Sequence, residues 1–142
     1  MYDNIVVGTD GSAGGTKAAE HAAELARLTG SKLHLVQGCG NPMLVAPMYG
    51  DVPVIDQVAI VQACTAELEP LAARIRSTGI DVDIHVVATS GHAALCDVAE
   101  AVQAGLIVVG NRGMTGARRL LGSVPNSVAH RAPCSVLIVH TN

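Results

Sequence analysis

Ile5-Val6-Val7-Gly8-Thr9-Asp10-Gly11-Ser12 starts with a β-branched run and ends on glycines and short polar residues, the pattern of a strand leading into a turn. Ser12 then precedes Lys17-Ala18-Ala19-Glu20-His21-Ala22-Ala23-Glu24-Leu25-Ala26-Arg27-Leu28, rich in helix formers and stopped by Gly30. Ala18, Ala22, Leu25 and Leu28 read as one apolar stripe, so the helix is expected to lie on a sheet. A second strand-like run at 33–36 completes a strand, helix, strand unit.

The same alternation continues to the end of the chain. Strands are expected at 82–87, 106–110 and 136–140, with helices at about 57–77, 92–103 and 124–131. Pro70 lies inside the second helix and predicts a kink or break near Glu69, because proline lacks the amide donor and crowds the preceding turn. Strands separated by helices favour a parallel sheet, since each parallel neighbour needs a crossover that covers a face. The expected class is α/β, an open doubly wound parallel sheet, and no linker or repeat divides residues 1–142 into more than one domain. The segment 38–56 is different: Gly38, Gly40, Pro42, Pro47, Gly50 and Pro53 punctuate it, and it reads as a long mobile loop of the kind that often forms a functional lid, the other reading being an inert surface excursion.

Composition narrows the function. Across 142 residues there are no Trp, no Phe and two Tyr, 49% hydrophobic and 15% charged residues, and a net charge of -3. Base-stacking nucleic-acid proteins need aromatic platforms and a basic groove, so no nucleic-acid partner is expected. The apolar runs are strand-sized and too short for a membrane span, and no signal-peptide pattern opens the chain. A soluble, cytoplasmic protein is therefore expected. Cys39, Cys64, Cys96 and Cys134 are widely spaced with no CxxC pair, which reads as plain reduced thiols. The six histidines show no metal-binding spacing, and most of them read as surface or satisfied half-buried groups.

In an open α/β sheet the ligand crevice lies beyond the carboxyl ends of the strands, near the point where strand order reverses. Two glycine-bearing segments fall at such ends: Gly8-Thr9-Asp10-Gly11-Ser12 and Gly110-Asn111-Arg112-Gly113, with Gly122-Ser123-Val124-Pro125-Asn126 opening the last helix. Neither matches a Walker A loop or a GxGxxG fingerprint. The parts of an anion site are nonetheless present: bare backbone at glycines, and free amides with a hydroxyl at a helix start. Turn and cap glycines do the same local jobs without a ligand.

Together with the tail Ala132-Pro133-Cys134-Ser135-Val136-Leu137-Ile138-Val139, these segments resemble the universal stress protein family over essentially the whole chain. The resemblance implies a Rossmann-like, five-stranded parallel sheet of order 3-2-1-4-5 and a branch that binds ATP or related adenine nucleotides, with cyclic AMP an option. Eight residues separate Gly113 from Gly122, one fewer than the family's GxxGx(9)G[ST] spacing, which implies a tighter phosphate loop. Carried over residue by residue, Gly8, Thr9 and Asp10 would line the ribose and adenine. The main chain at Val36 would read the adenine edge, and Gly110 and Gly113 would lie along the ribose and phosphates. Gly122, Ser123 and Val124, followed by Pro125 and Asn126, would meet the phosphates at the helix start, with Arg112 nearby. Asp10 would help hold Mg, if any metal binds; its other reading is a carboxylate fixing the Gly11-Ser12 turn.

The function implied is a nucleotide-binding stress or signalling module with at most slow ATP hydrolysis. A nucleotidyl transferase on the same scaffold and a structural dimer without nucleotide are the competing readings. An apolar strand ending the chain at 136–140 is expected at a sheet edge, where it invites pairing with a second copy.

Overall fold

The computed structural model describes residues 2–40, 48–49, 52–53, 57–111 and 124–141. Its elements in chain order are β1 (Asn4–Gly8), α1 (Ala13–Thr29), β2 (Lys32–Gly38), β3 (Met48–Tyr49), β4 (Val52–Pro53), α2 (Gln57–Arg76), β5 (Val82–Val87), α3 (Gly91–Ala101), β6 (Leu106–Gly110), α4 (Val124–Arg131) and β7 (Ser135–Val139). Five strands form one sheet in the order β5-β2-β1-β6-β7. Every neighbouring pair is parallel. Numbered among themselves, these strands run 3-2-1-4-5.

Side chains alternate across the sheet and build two cores. Ile5 and Val7 of β1, Leu33 and Leu35 of β2, and Leu106 and Val108 of β6 face Ala18, Ala22 and Ala26 of α1 and Ala72 and Ile75 of α2. Val6, Val36, Ile107 and Val109 face the other way, onto Ala94, Leu95 and Val98 of α3 and Val128 of α4. The alanines let α1 sit close to the strands, so aliphatic side chains fill the core, with Tyr2 packed against the first cluster.

Several boundaries differ from the sequence reading. The last strand begins one residue earlier, at Ser135, and β2 extends beyond 33–36 at both ends. Leu28 does not join the buried stripe: it is 67% exposed, while Ala19, Ala23 and Ala26 are buried in its place. At 100° per residue the sheet-facing line through Ala18, Ala22 and Ala26 leaves Leu28 on the outer side. Pro70 does not break its helix, which runs from Gln57 to Arg76, 20 residues in all. Ala66 and Pro70 are both exposed, so water can satisfy the carbonyl left without its i+4 donor. Helix α3 ends at Ala101, because Gln103 adopts a positive φ of 53°. The segment 38–56 is not all loop, since β3 and β4 pair antiparallel within it.

Candidate functional site

The strand order reverses at β1, whose neighbours are β2 on one side and β6 on the other. The carboxyl ends of these three strands therefore frame the crevice.

Ser12 starts α1, and its Oγ accepts the Gly15 N–H at 3.1 Å. Asp10 Oδ1 accepts the Ser12 N–H at 2.9 Å and also the Ser12 hydroxyl. The carboxylate thus fixes the turn, in which Gly11 takes a φ of +79° that a side chain would resist. Gly15 is the residue that allows this loop to fold back on the helix. A Cβ there would stand 2.9 Å from both Asp10 Oδ1 and Thr9 Oγ1. Glu67 of α2 approaches the same turn, its Oε2 lying 3.8 Å from a Cβ position at Gly11.

Thr9 is buried and ties this loop to β2 by donating its N–H to the Val36 carbonyl at 3.0 Å. That carbonyl keeps one lone pair for another donor. Gly38, at the end of β2, crosses the loop before α3 at close range: its Cβ position is 2.7 Å from Ser90 C and Thr89 O and 2.8 Å from Gly91 Cα. Ser90 caps α3, accepting the Ala93 N–H at 3.4 Å. Gly91 in turn lies beside Val124, the first residue of α4 and 40% exposed. The N-termini of α3 and α4 are therefore adjacent at this end of the sheet, and both present the positive end of a helix dipole. Pro125 is buried and Asn126 half-buried on the first turn of α4.

At the end of β6, Gly110 packs against Thr141, whose Cγ2 is 3.1 Å from its Cβ position, with the Gly14 carbonyl at 3.7 Å. Asn111 closes this side, its Oδ1 accepting the Thr141 N–H at 2.9 Å and hydroxyl at 3.1 Å. The structure thus brings Gly8, Thr9, Asp10, Val36, Gly110 and Val124 to one end of the sheet. Arg112, Gly113, Gly122 and Ser123 lie outside the described residues.

Four features of this end were not read from the sequence. Gly15 and Gly38 matter through close approaches made only in the fold, and Thr141 through its bonds to Asn111. The fourth is Gln37, one residue past Val36: its Oε1 is buried and has no hydrogen-bond partner among the described residues. An unpaired buried acceptor is costly and marks a place for a donor.

Cysteines that look scattered in the chain also meet. Cys39 Sγ lies 2.9 Å from Cys64 Sγ, both thiols being free. Burial, reinforced by the Cys64 contact, pushes the Cys39 thiol up to about 12. Cys96 and Cys134 are likewise pushed up, chiefly by burial.

The described residues define an open doubly wound α/β domain with glycines at its strand ends and two adjacent helix N-termini, a class whose ligands lie beyond the carboxyl ends of the strands. Comparison with known proteins specifies it further. A model of the universal stress protein family matches residues 1–140, and the chain belongs to that family. It is 33% identical over 153 aligned residues to universal stress protein Rv1636 of Mycobacterium tuberculosis, covering 99% of this chain and 97% of that one. A universal stress protein crystallised in complex with cAMP superposes with a TM-score of 0.79 at 31% identity, covering 99% of both chains. The Archaeoglobus fulgidus protein in complex with dAMP gives a TM-score of 0.67 at 26% identity, with 96% and 97% covered. Among the described residues, no helix is long and apolar enough to cross a membrane.

Proposed function

We propose that this chain is an adenine-nucleotide-binding module, taking ATP or cyclic AMP in the crevice bounded by the ends of β1, β2 and β6. The convergence of Gly8-Thr9-Asp10, Val36 and Gly110 with the N-termini of α3 and α4 carries the reading. Helix N-termini favour phosphate, and the bare backbone at Gly110 allows close approach. The base would lie against aliphatic side chains beside β2, with the Val36 main chain and Gln37 Oε1 as hydrogen-bond partners; an adenine amino group is the donor that an unpaired acyl oxygen accepts. Gly113, Gly122, Ser123 and Arg112 complete the phosphate side of the proposal. Asp10, held by Ser12, would act on the ribose or on a Mg ion accompanying the phosphates.

Occupancy is expected to change the shape of the loops and hence partner affinity, a signalling output in the stress response rather than fast turnover. Phosphoryl transfer at speed needs a metal, a lysine and a catalytic group placed together. The site is proposed within a single domain spanning 1–142 and within a homodimer. Among the described residues edge strand β7 pairs with β6 alone, and Ile138 on it is 38% exposed.

Calorimetry on Gly113→Leu and Gly122→Leu tests the site. Both variants are expected to lose ATP and cyclic AMP binding while keeping the wild-type circular dichroism spectrum. Unchanged affinity in both would place the nucleotide elsewhere.

A further inference from the structure

Away from the crevice, toward the amino ends of the strands, a group of polar side chains sits on the α3 face of the sheet. In the parallel pairing of β2 with β5, His34 lies opposite Asp83 and Val36 opposite His85. His34, Asp83 and His85 therefore project from the same face of adjacent strands. One ligand-type atom from each lies within 4.8 Å of the others. His34 Nδ1 and His85 Nε2 are 2.9 Å apart.

Asn4 at the start of β1 decides the proton positions. Its Nδ2 donates to the Val102 carbonyl at 3.0 Å, an atom that can only accept. The amide oxygen must then face His34 Nε2, 3.0 Å away, so Nε2 carries the hydrogen of His34 and Nδ1 is a bare lone pair. A buried imidazole whose far nitrogen is fixed by a second-layer acceptor is the arrangement that orients a metal-ligating histidine. His34 is 4% exposed, and an imidazole coordinates through the lone pair of its neutral form.

We propose that His34 Nδ1, His85 Nε2 and an Asp83 carboxylate oxygen form a binding site for a divalent cation of the zinc class, with water completing the coordination shell. Two nitrogen ligands and one oxygen ligand suit such borderline ions rather than calcium or magnesium. Tetrahedral bonds of about 2.0–2.1 Å place two nitrogens about 3.3 Å apart, so the pair must open by about 0.4 Å. His85 is half-buried on an edge strand and can turn by that amount. Without an ion, His85 Nε2–H donates to His34 Nδ1; on binding, the His85 hydrogen moves to its own Nδ1 and Nε2 becomes a ligand. Lys32 bonds Asp83 at 2.9 Å and also lies 3.5 Å from Asp81. Asp81 can therefore hold the lysine when Asp83 turns to the metal.

The test is a zinc titration of the full chain by calorimetry, in parallel with His85→Ala, Asp83→Asn, Asn4→Ala and a Cys39→Ser/Cys64→Ser double variant. The wild-type chain and the double cysteine variant are expected to bind one zinc each with equal affinity. His85→Ala and Asp83→Asn should each weaken binding by more than about tenfold, and Asn4→Ala by about 10–100-fold through loss of the fixed tautomer. His85 and Asp83 are only half-buried, and wild-type circular dichroism of their variants separates ligand loss from unfolding. Absence of stoichiometric binding, unchanged affinity in His85→Ala, or loss of binding in the cysteine variant alone would overturn the assignment.

Discussion

Replacing Gly38 by alanine probes the junction on which the candidate crevice depends. The added Cβ would meet three backbone atoms at 2.7, 2.7 and 2.8 Å, and backbone cannot swing aside as a long side chain can. Restoring ordinary contact at 3.4 Å requires the end of β2 and the loop before α3 to separate by about 0.7 Å. Overpacking of this kind costs roughly 1–3 kcal/mol, against a gain of about 0.4–1 kcal/mol from restricting the unfolded chain. The net expectation is a loss of about 1.3 kcal/mol, or roughly 3–5 °C in melting temperature for a domain of this size. Thermal and urea unfolding followed by circular dichroism reads it. Gly30→Ala is the control: φ is +69° there, but no atom of the described residues lies within 4 Å of its Cβ position, so it should cost only the αL penalty of about 1 kcal/mol, partly offset by the same unfolded-chain gain. A Gly38→Ala protein as stable as wild type would refute the close crossing of β2 and the α3 loop.

Three further outcomes follow from the same structure. Iodoacetamide at pH 7.5 should label Cys39 far more slowly than an unfolded control, since its thiol ionises only near 12; equal labelling would contradict the burial assigned to it. Because the Cys39, Cys96 and Cys134 pKa values are raised by folding, their contribution is fully present below the unfolded thiol pKa of about 8.5 and is lost as pH rises toward the folded values. Stability should therefore decline above about pH 9, and a triple Cys→Ser variant should flatten that decline; an unchanged slope would assign it to other groups. Ile138→Glu should shift the proposed dimer to monomer on sizing, because it puts charge on the exposed edge of β7; an unaltered elution volume would remove β7 from the interface.

The fold was legible because strands and helices alternate and the apolar runs are strand-sized; the five expected strands all occur in the sheet. What sequence could not locate were relations between distant residues. Leu28 fits a helical stripe by spacing, yet only the packing of the alanines shows which side meets the sheet. Pro70 breaks helices by local rules, and the outcome here turns on Ala66 and Pro70 facing water. The same limit applies to the site. The glycine segments announce strand ends, and Ser12 and Asp10 announce a capped turn. Gly15 and Gly38, by contrast, have ordinary surroundings in sequence and acquire their importance from atoms 5 and 50 or so positions away. His34 and His85, like Cys39 and Cys64, carry no spacing signal because parallel pairing and helix packing, not chain proximity, bring them together.

The crevice at the ends of β1, β2 and β6 is proposed to take an adenine nucleotide. Titrating the wild-type chain with cyclic AMP and ATP by calorimetry, with and without magnesium and with GTP as competitor, measures it most directly. The expected result is saturable binding of one adenine nucleotide per chain that GTP does not displace. No saturable binding of either adenine nucleotide, or equal competition by GTP, would rule out an adenine-nucleotide site in this crevice.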